Sequence, residues 1–206
     1  MPHETMMVDL QQKPEAFTSL YASACGDPTM SAKVPILKTD ETTLIESLVI
    51  LEYLEDLQPS EFTAEQRARA RLWASLVPSW LSWFTILRAD AGSDAEAAAI
   101  AKVRDGLRAM DTFLDTTADG PFVLGSEFTM AEAATAPFIS RLMLVLPLLR
   151  PELAPSSWLE DDGLERCAQW VDAVCTRPSV TDTLPPLSEM QTSYERLLER
   201  FKSMPA

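Results

Sequence analysis

The chain carries one histidine, three cysteines and six glycines, and its 17 Lys and Arg are outnumbered by 31 Asp and Glu. Each scarcity removes a class of function. Tetrahedral transition-metal sites draw on several His or Cys ligands, so one His and no close Cys pair argue against them. Three cysteines cannot form a paired disulfide framework and nothing reads as a secretory signal; a reducing, cytoplasmic setting is expected. A net charge of −14 argues against nucleic acid, whose binding is driven by clustered cations that release counterions. The same charge argues against an anionic membrane surface. The longest apolar run, residues 142–149, is far short of the ~20 residues that span a bilayer. What is present is 47% apolar and 23% charged over 206 residues. That composition suits a globular protein with enough chain for one large domain or two small ones.

The chain divides near residue 60. In the first part, Met6-Met7-Val8-Asp9-Leu10 reads as a short apolar strand. Pro14 stands at a first helical position, and the helix it opens runs over residues 14–24 until Cys25-Gly26-Asp27-Pro28 ends it by turn chemistry. Lys33-Val34-Pro35-Ile36-Leu37-Lys38 reads as a strand interrupted by proline, and Thr42-Thr43-Leu44-Ile45 as a β-branched one. Asp40-Glu41 suits a hairpin turn between them, though without the glycine that marks the commonest turns. Leu48, Ile50, Leu51, Leu54 and Leu57 then recur at helical spacing, and Pro59 closes the segment. Residues 1–59 are therefore expected to form a small α/β domain.

Residues 60–206 read as helix throughout. Thr63 with Gln66 has the spacing of a capping box, opening a long helix over residues 63–89 that Pro78 is expected to kink. Ser93 with Glu96 and Thr129 with Glu132 repeat that signature before helices reaching residues 115 and 149. Further helices are expected over residues 163–176, stopped by Arg177-Pro178, and 188–202, whose alternating charges suit a solvated helix. Cys167 and Cys175 share one apolar helix face and read as buried structural thiols.

Three motifs, in this order, resemble the cytosolic glutathione transferases. Lys33-Val34-Pro35-Ile36-Leu37 looks like the strand preceded by a cis-proline, whose backbone in that family pairs with the cysteinyl part of glutathione. Glu46-Ser47, continuing Leu48-Val49-Ile50-Leu51-Glu52-Tyr53-Leu54, is similar to the acidic-Ser glutathione motif. Phe122-Val123-Leu124-Gly125 followed by Phe128-Thr129-Met130-Ala131-Glu132-Ala133 resembles the capping box of the family's C-terminal domain, with Glu132 where Asp is usual. Val8-Asp9-Leu10 and Lys13-Pro14-Glu15 look like the end of the second strand and start of the second helix of omega-like and fungal members. The implied fold is an α/β thioredoxin-like N-terminal domain lacking one strand and helix, plus an all-α C-terminal helical domain.

The resemblance implies a glutathione site at Lys33, Val34, Pro35, Glu46 and Ser47. A helix start there would seat the γ-glutamyl carboxylate on unpaired N–H groups, Ser47 would donate to it, and Lys33 would meet the other carboxylate. A cis bond before Pro35 would turn the Val34 backbone outward for strand-like pairing. The plain alternatives are that Glu46-Ser47 is capping and dipole compensation and Lys33 a solvated charge. Trp80, Trp83, Phe84 and Leu87, with Trp73, form a set at helical spacing. By spacing alone that set reads as core; by resemblance its helix borders an apolar substrate site.

The family's first strand and first helix, which carry the group that activates the glutathione sulfur, have no counterpart in residues 1–7. Two repairs are open: residues 6–10 slide into the vacant central place as a third strand, or the cellular protein is longer. Cys25 is placed at a helix C-terminus, where the dipole opposes a thiolate; no catalytic residue is named. The expectation is a glutathione-binding, transferase-type enzyme for an apolar small molecule, adding the thiol or isomerising a conjugated double bond in natural-product metabolism. The alternative is a non-catalytic binding or regulatory protein. A homodimer, with neither nucleic acid nor membrane as partner, is implied.

Overall fold

The computed structural model describes residues 2–57, 61–116 and 119–202; Pro59 lies outside the described residues. The chain separates into two compact units, Met1–Glu61 and Phe62–Ala206. The first contains α1 (Glu15–Cys25), β1 (Ile36–Lys38), β2 (Thr43–Ile45) and α2 (Ser47–Leu57). Pro14, extended at φ −60° and ψ 144°, precedes α1, and Gly26 in the left-handed region at φ 72° ends it with its N–H on the Ala22 carbonyl. β1 and β2 pair antiparallel, Ile36 with Ile45, Leu37 with Leu44 and Lys38 with Thr43. The hairpin turns without glycine because Thr39 organises it. Its N–H donates to the Thr42 carbonyl at 2.8 Å, and its hydroxyl accepts from the Glu41 and Thr42 amides at 3.2 and 3.0 Å.

This is the reduced thioredoxin-like unit expected from the sequence, with one correction. Residues 6–10 form no strand, and the sheet has two strands rather than three. Met6 and Met7 are 83% and 92% exposed. Without a neighbouring backbone to pair with, a short apolar run alone does not make a strand.

The second unit is all helical among its described residues. It contains α3 (Ala64–Trp80), α4 (Phe84–Arg88), α5 (Asp94–Asp115), α6 (Met130–Leu149), α7 (Pro155–Asp161), α8 (Glu165–Cys175), α9 (Pro178–Thr181) and α10 (Leu187–Lys202). The Thr63 and Thr129 boxes both close in full. The Ser93 box closes by half: Ser93 accepts from the Glu96 amide, but the Glu96 carboxylate turns to Gly92 N–H at 2.7 Å and Arg150 Nε at 3.2 Å.

The helix expected to bend at Pro78 instead ends two residues later, at Trp80. Its last carbonyl lies against Gly106 of α5, where a Cβ would come within 2.2 Å of it. Neither α7 nor α9 was expected, both being short and opened by proline. α10 is not simply solvated: Met190 is buried and Tyr194 and Leu198 pack on the core, so the alternating charges occupy only its outer face.

α6 is long and apolar enough, by composition, to cross a membrane. It is a core helix: Ile139, Leu142, Val145 and Leu146 are fully buried, and it packs against α3, α7, α8 and α10. Where Trp73 meets Trp170 and Phe113, ring centroids are 5.1 and 5.2 Å apart, in the edge-on and tilted arrangements that aromatic quadrupoles favour.

Candidate functional site

The Met1–Glu61 unit brings two of the motifs to one place. Ile36 pairs with Ile45 at the end of the ladder, so the residues next outward, Pro35 and Glu46, leave from the same end of the hairpin. The Val34–Pro35 bond is cis, and Val34 is 48% exposed. Glu46 is the only described non-glycine residue with positive φ, at 68°. An L-residue pays roughly 1–2 kcal/mol to sit there, and such strain gathers at ligand-binding positions.

That backbone twist turns the chain from β2 directly into α2, whose first hydrogen bond runs from the Ile50 N–H to the Glu46 carbonyl at 3.0 Å. The N–H groups ahead of Ile50 have no acceptor within the helix. They sit under exposed side chains from Glu46 to Val49, in the positive field of the helix end. The arrangement suits a carboxylate on the amides and an extended peptide backbone beside Val34.

Lys33 and Pro35 are exposed on the segment leading into β1. The sequence reading missed Lys13. Its ammonium donates to the Ala32 carbonyl at 2.9 Å and to the Ser31 hydroxyl at 3.3 Å, tying the start of α1 to the segment that carries Lys33. The available signal was its position. A Lys just before a helix opposes the dipole unless another acceptor holds it.

Cys25 is half-buried, with its Sγ 3.6 Å from the Ala22 carbonyl and 3.2 Å from that of Asp27. Its S–H is turned to backbone carbonyls rather than to the motif segments. Burial pushes the Cys167 thiol up to about 12 and also raises Cys175, so neither offers a thiolate.

The four residues considered for an apolar wall lie in the helical unit and divide there. Trp83 and Leu87 are 4% and 3% exposed, within the core. Trp80 is half-buried, 6.2 Å from Trp73 and 6.4 Å from Phe113 by centroid. Phe84 is half-buried and belongs to a second group with Trp83, Tyr194 and Phe201, at centroid distances of 5.4–6.2 Å. Burial raises the Tyr194 hydroxyl, with Arg141 opposing the shift. Trp80 and Phe84 thus retain surface, whereas Trp83 and Leu87 are spent on packing.

Residues 2–62 match the family model of the glutathione S-transferase N-terminal domain, and residues 93–173 that of the glutathione S-transferase C-terminal domain. Glutathione S-transferase U16 of Arabidopsis thaliana is 26% identical over 181 residues, which cover 83% of this chain and 74% of that protein. Rice GST1, solved in complex with glutathione, has a TM-score of 0.72 at 22% identity, over 95% of this chain and 85% of that one. Glutathione transferase Omega 3C from Trametes versicolor has a TM-score of 0.68 at 20% identity, over 94% and 79%. Likeness at these identities establishes fold alone, and a plant and a fungal structure match about equally well. The relationship therefore stands at the level of the superfamily rather than of an omega-like or fungal-type subclass. With both domain models matched in order, the chain belongs to the glutathione transferase superfamily.

Proposed function

We propose that this chain binds glutathione through Lys33, Val34, Pro35, Glu46 and Ser47 and presents its sulfur to an apolar electrophile. The observation that carries the reading is the meeting of the cis-Val34–Pro35 segment and the Glu46-Ser47 helix start at one end of the β1–β2 hairpin. In this reading the α2 amides and the Ser47 hydroxyl hold the γ-glutamyl carboxylate. Glu46 faces the ammonium, Lys33 the glycyl carboxylate, and the Val34 backbone pairs with the cysteinyl residue. The thiol loses its proton to solvent, the sulfur forms a bond to an electrophilic carbon, and the leaving group departs with its electron pair. Addition to a conjugated double bond followed by elimination of the same thiol would isomerise the bond and regenerate glutathione. Trp80 and Phe84 are the side chains of the aromatic set with surface left for an apolar substrate. We assign the ligand domain to residues 1–59 and the helical domain to 60–206, in a cytoplasmic homodimer.

A second reading, a glutathione-binding protein without transferase activity, is favoured by one observation. The thiol nearest the motifs in sequence, Cys25, is engaged with two carbonyls and offers the ligand's sulfur no donor. Calorimetric titration of glutathione into the 206-residue chain, beside Ser47→Ala, tests the shared step. Binding between about micromolar and millimolar, roughly −8 to −4 kcal/mol, weakened by the substitution, supports it. No binding by folded protein overturns it. A conjugation assay with a generic electrophile then separates enzyme from binding protein.

A further inference from the structure

Three helices of the second unit bring together a group of side chains whose charge the apolar-electrophile reading does not use. α10 packs against both α4 and α6. It sets Tyr194 5.4 Å from Trp83 and 6.2 Å from Phe84, and Phe201 5.5 Å from Phe84, centroid to centroid. Trp83, 4% exposed, backs this row from the core. Phe84, Tyr194 and Phe201 are half-buried, so the row keeps an accessible side. A guanidinium stands at each end of it. Arg88 lies over the Phe201 ring at 5.1 Å, where the ring quadrupole holds it. At the other end burial raises the Tyr194 hydroxyl, and Arg141 of α6 is near enough for its charge to oppose that shift.

Arg141 has donors to spare. It is half-buried, and its one hydrogen bond among the described residues runs from Nη1 to the Pro137 carbonyl of its own helix, at 3.2 Å. No carboxylate among the described residues pairs with it, although the chain holds 31 Asp and Glu against 17 Lys and Arg. The Tyr194 hydroxyl likewise has no hydrogen-bond partner among the described residues. A guanidinium presents its N–H groups in a planar fork that matches a carboxylate, and a phenol adds one more donor. Beside aromatic rings such charge-assisted bonds are stronger than in open water. We propose that Arg141 and the Tyr194 hydroxyl seat a carboxylate whose apolar body lies on Phe84 and Phe201, so that the small molecule taken by the helical unit is an arylcarboxylate-type acid rather than a neutral one. Arg88 is not part of the seat, because its charge is already engaged by a ring. As a statement of substrate class this rests on the enzyme reading above. As a binding site it stands on the helical unit alone.

Calorimetric titration of naphthoate, and of naphthamide as its neutral isostere, into the full chain tests it, with Arg141→Gln and Tyr194→Phe beside the parent. Both ligands offer the same rings, so the difference between them isolates the charge. The expected result is naphthoate binding tighter than naphthamide by about ten- to a hundredfold. Arg141→Gln should abolish that preference and Tyr194→Phe should reduce it. Unchanged tryptophan fluorescence, and naphthamide binding by Arg141→Gln equal to that of the parent, show that the variants fold. Equal affinities in the parent, a preference that survives Arg141→Gln, or no binding of either ligand overturns the proposal. Glutathione titrated into the same protein keeps the two readings apart. Acid preference without glutathione binding leaves the site standing and removes the enzyme reading; glutathione binding without acid preference does the reverse.

Discussion

Removing the Glu132 carboxylate tests how the helical unit is held at the start of α6. Glu132 is fully buried, and no cation among the described residues pairs with it. Four donors satisfy it instead. One oxygen accepts from Val123 N–H at 2.8 Å and Trp170 Nε1–H at 3.3 Å; the other accepts from the Thr129 N–H and hydroxyl, both at 2.9 Å. Glu132→Ala leaves the Val123, Thr129 and Trp170 N–H groups without acceptors. At about 1–3 kcal/mol for each buried orphan, the loss is at least about 4 kcal/mol once the cavity is included. Glu132→Gln keeps one oxygen for Val123 and Trp170. Its amide then faces Thr129, whose hydroxyl can turn to accept but whose N–H cannot, so a single orphan costs about 2 kcal/mol. At roughly 3 °C per kcal/mol for a unit of this size, Tm falls by about 12 °C and 6 °C. All five tryptophans, Trp73, Trp80, Trp83, Trp158 and Trp170, lie in the helical unit, so intrinsic fluorescence during urea or thermal unfolding reads that unit alone. An alanine variant within about 1 kcal/mol of the parent, or a glutamine variant no better than alanine, refutes the reasoning.

Three further outcomes follow from the same structure. Gly106→Ala would set a methyl 2.2 Å from the Trp80 carbonyl oxygen; overpacking against backbone, up to about 3 kcal/mol, exceeds the ~1 kcal/mol gained in helix propensity, so fluorescence-monitored Tm should fall, and a rise would contradict the close approach. Burial pushes the Cys167 thiol up to about 12 from 9.0. Its folded pKa is therefore above the unfolded one, its contribution to stability is complete below about pH 9 and is lost as pH climbs toward 12, and thiol reagents at pH 8 should label half-exposed Cys25 while sparing Cys167 until the protein unfolds. Hydrogen bonds from Arg104 and Arg108 hold the Asp162 carboxyl below its ordinary range. Its contribution is present above the unfolded value of 3.8 and disappears as pH falls through the lower folded value, so Asp162→Asn should flatten the acid limb of the stability curve.

The sequence was most legible where local chemistry decides the outcome. Thr63 with Gln66 and Thr129 with Glu132 declare their boxes because every partner lies within four residues, and Gly26 stops α1 for the same reason. It was least legible where a distant partner decides. Glu96 has the spacing of a box, but Arg150, far along the chain, and Gly92 take its carboxylate. The chain breaks after Trp80 rather than at Pro78, in the place where Gly106 of another helix admits the Trp80 carbonyl. Residues 6–10 form a short apolar run like a strand, yet a strand needs a neighbour, which local composition cannot supply. For the candidate site, the motif order pointed to both segments that meet at the hairpin end. It did not reveal that Lys13 holds the Ala32 carbonyl, because that contact crosses from the start of α1 to the loop before β1.

The two units are unequally built, and this bears on how the site works. Among the described residues of Met1–Glu61, only Tyr21, Ala32 and Ile50 are buried apolar side chains, whereas the core cluster lies wholly in the helical unit. The Tyr21 hydroxyl is buried with no hydrogen-bond partner, a further cost to that small core. Residues with so few buried contacts open at low free energy. A ligand that bridges Val34 and Ser47 binds only the closed form, so its apparent affinity is reduced by the fraction of chains in that form. The same linkage runs in reverse. Glutathione at a hundred times its Kd adds about 2.7 kcal/mol to the ligand-bound unit, a large increment where the core is thin. Adding glutathione should therefore slow hydrogen exchange throughout β1, β2 and α2, including amides such as Ile50 N–H that face the protein rather than the ligand. Protection confined to Val34 and the first turn of α2 would mean the unit is rigid before the ligand arrives, and the argument from its small core would fail.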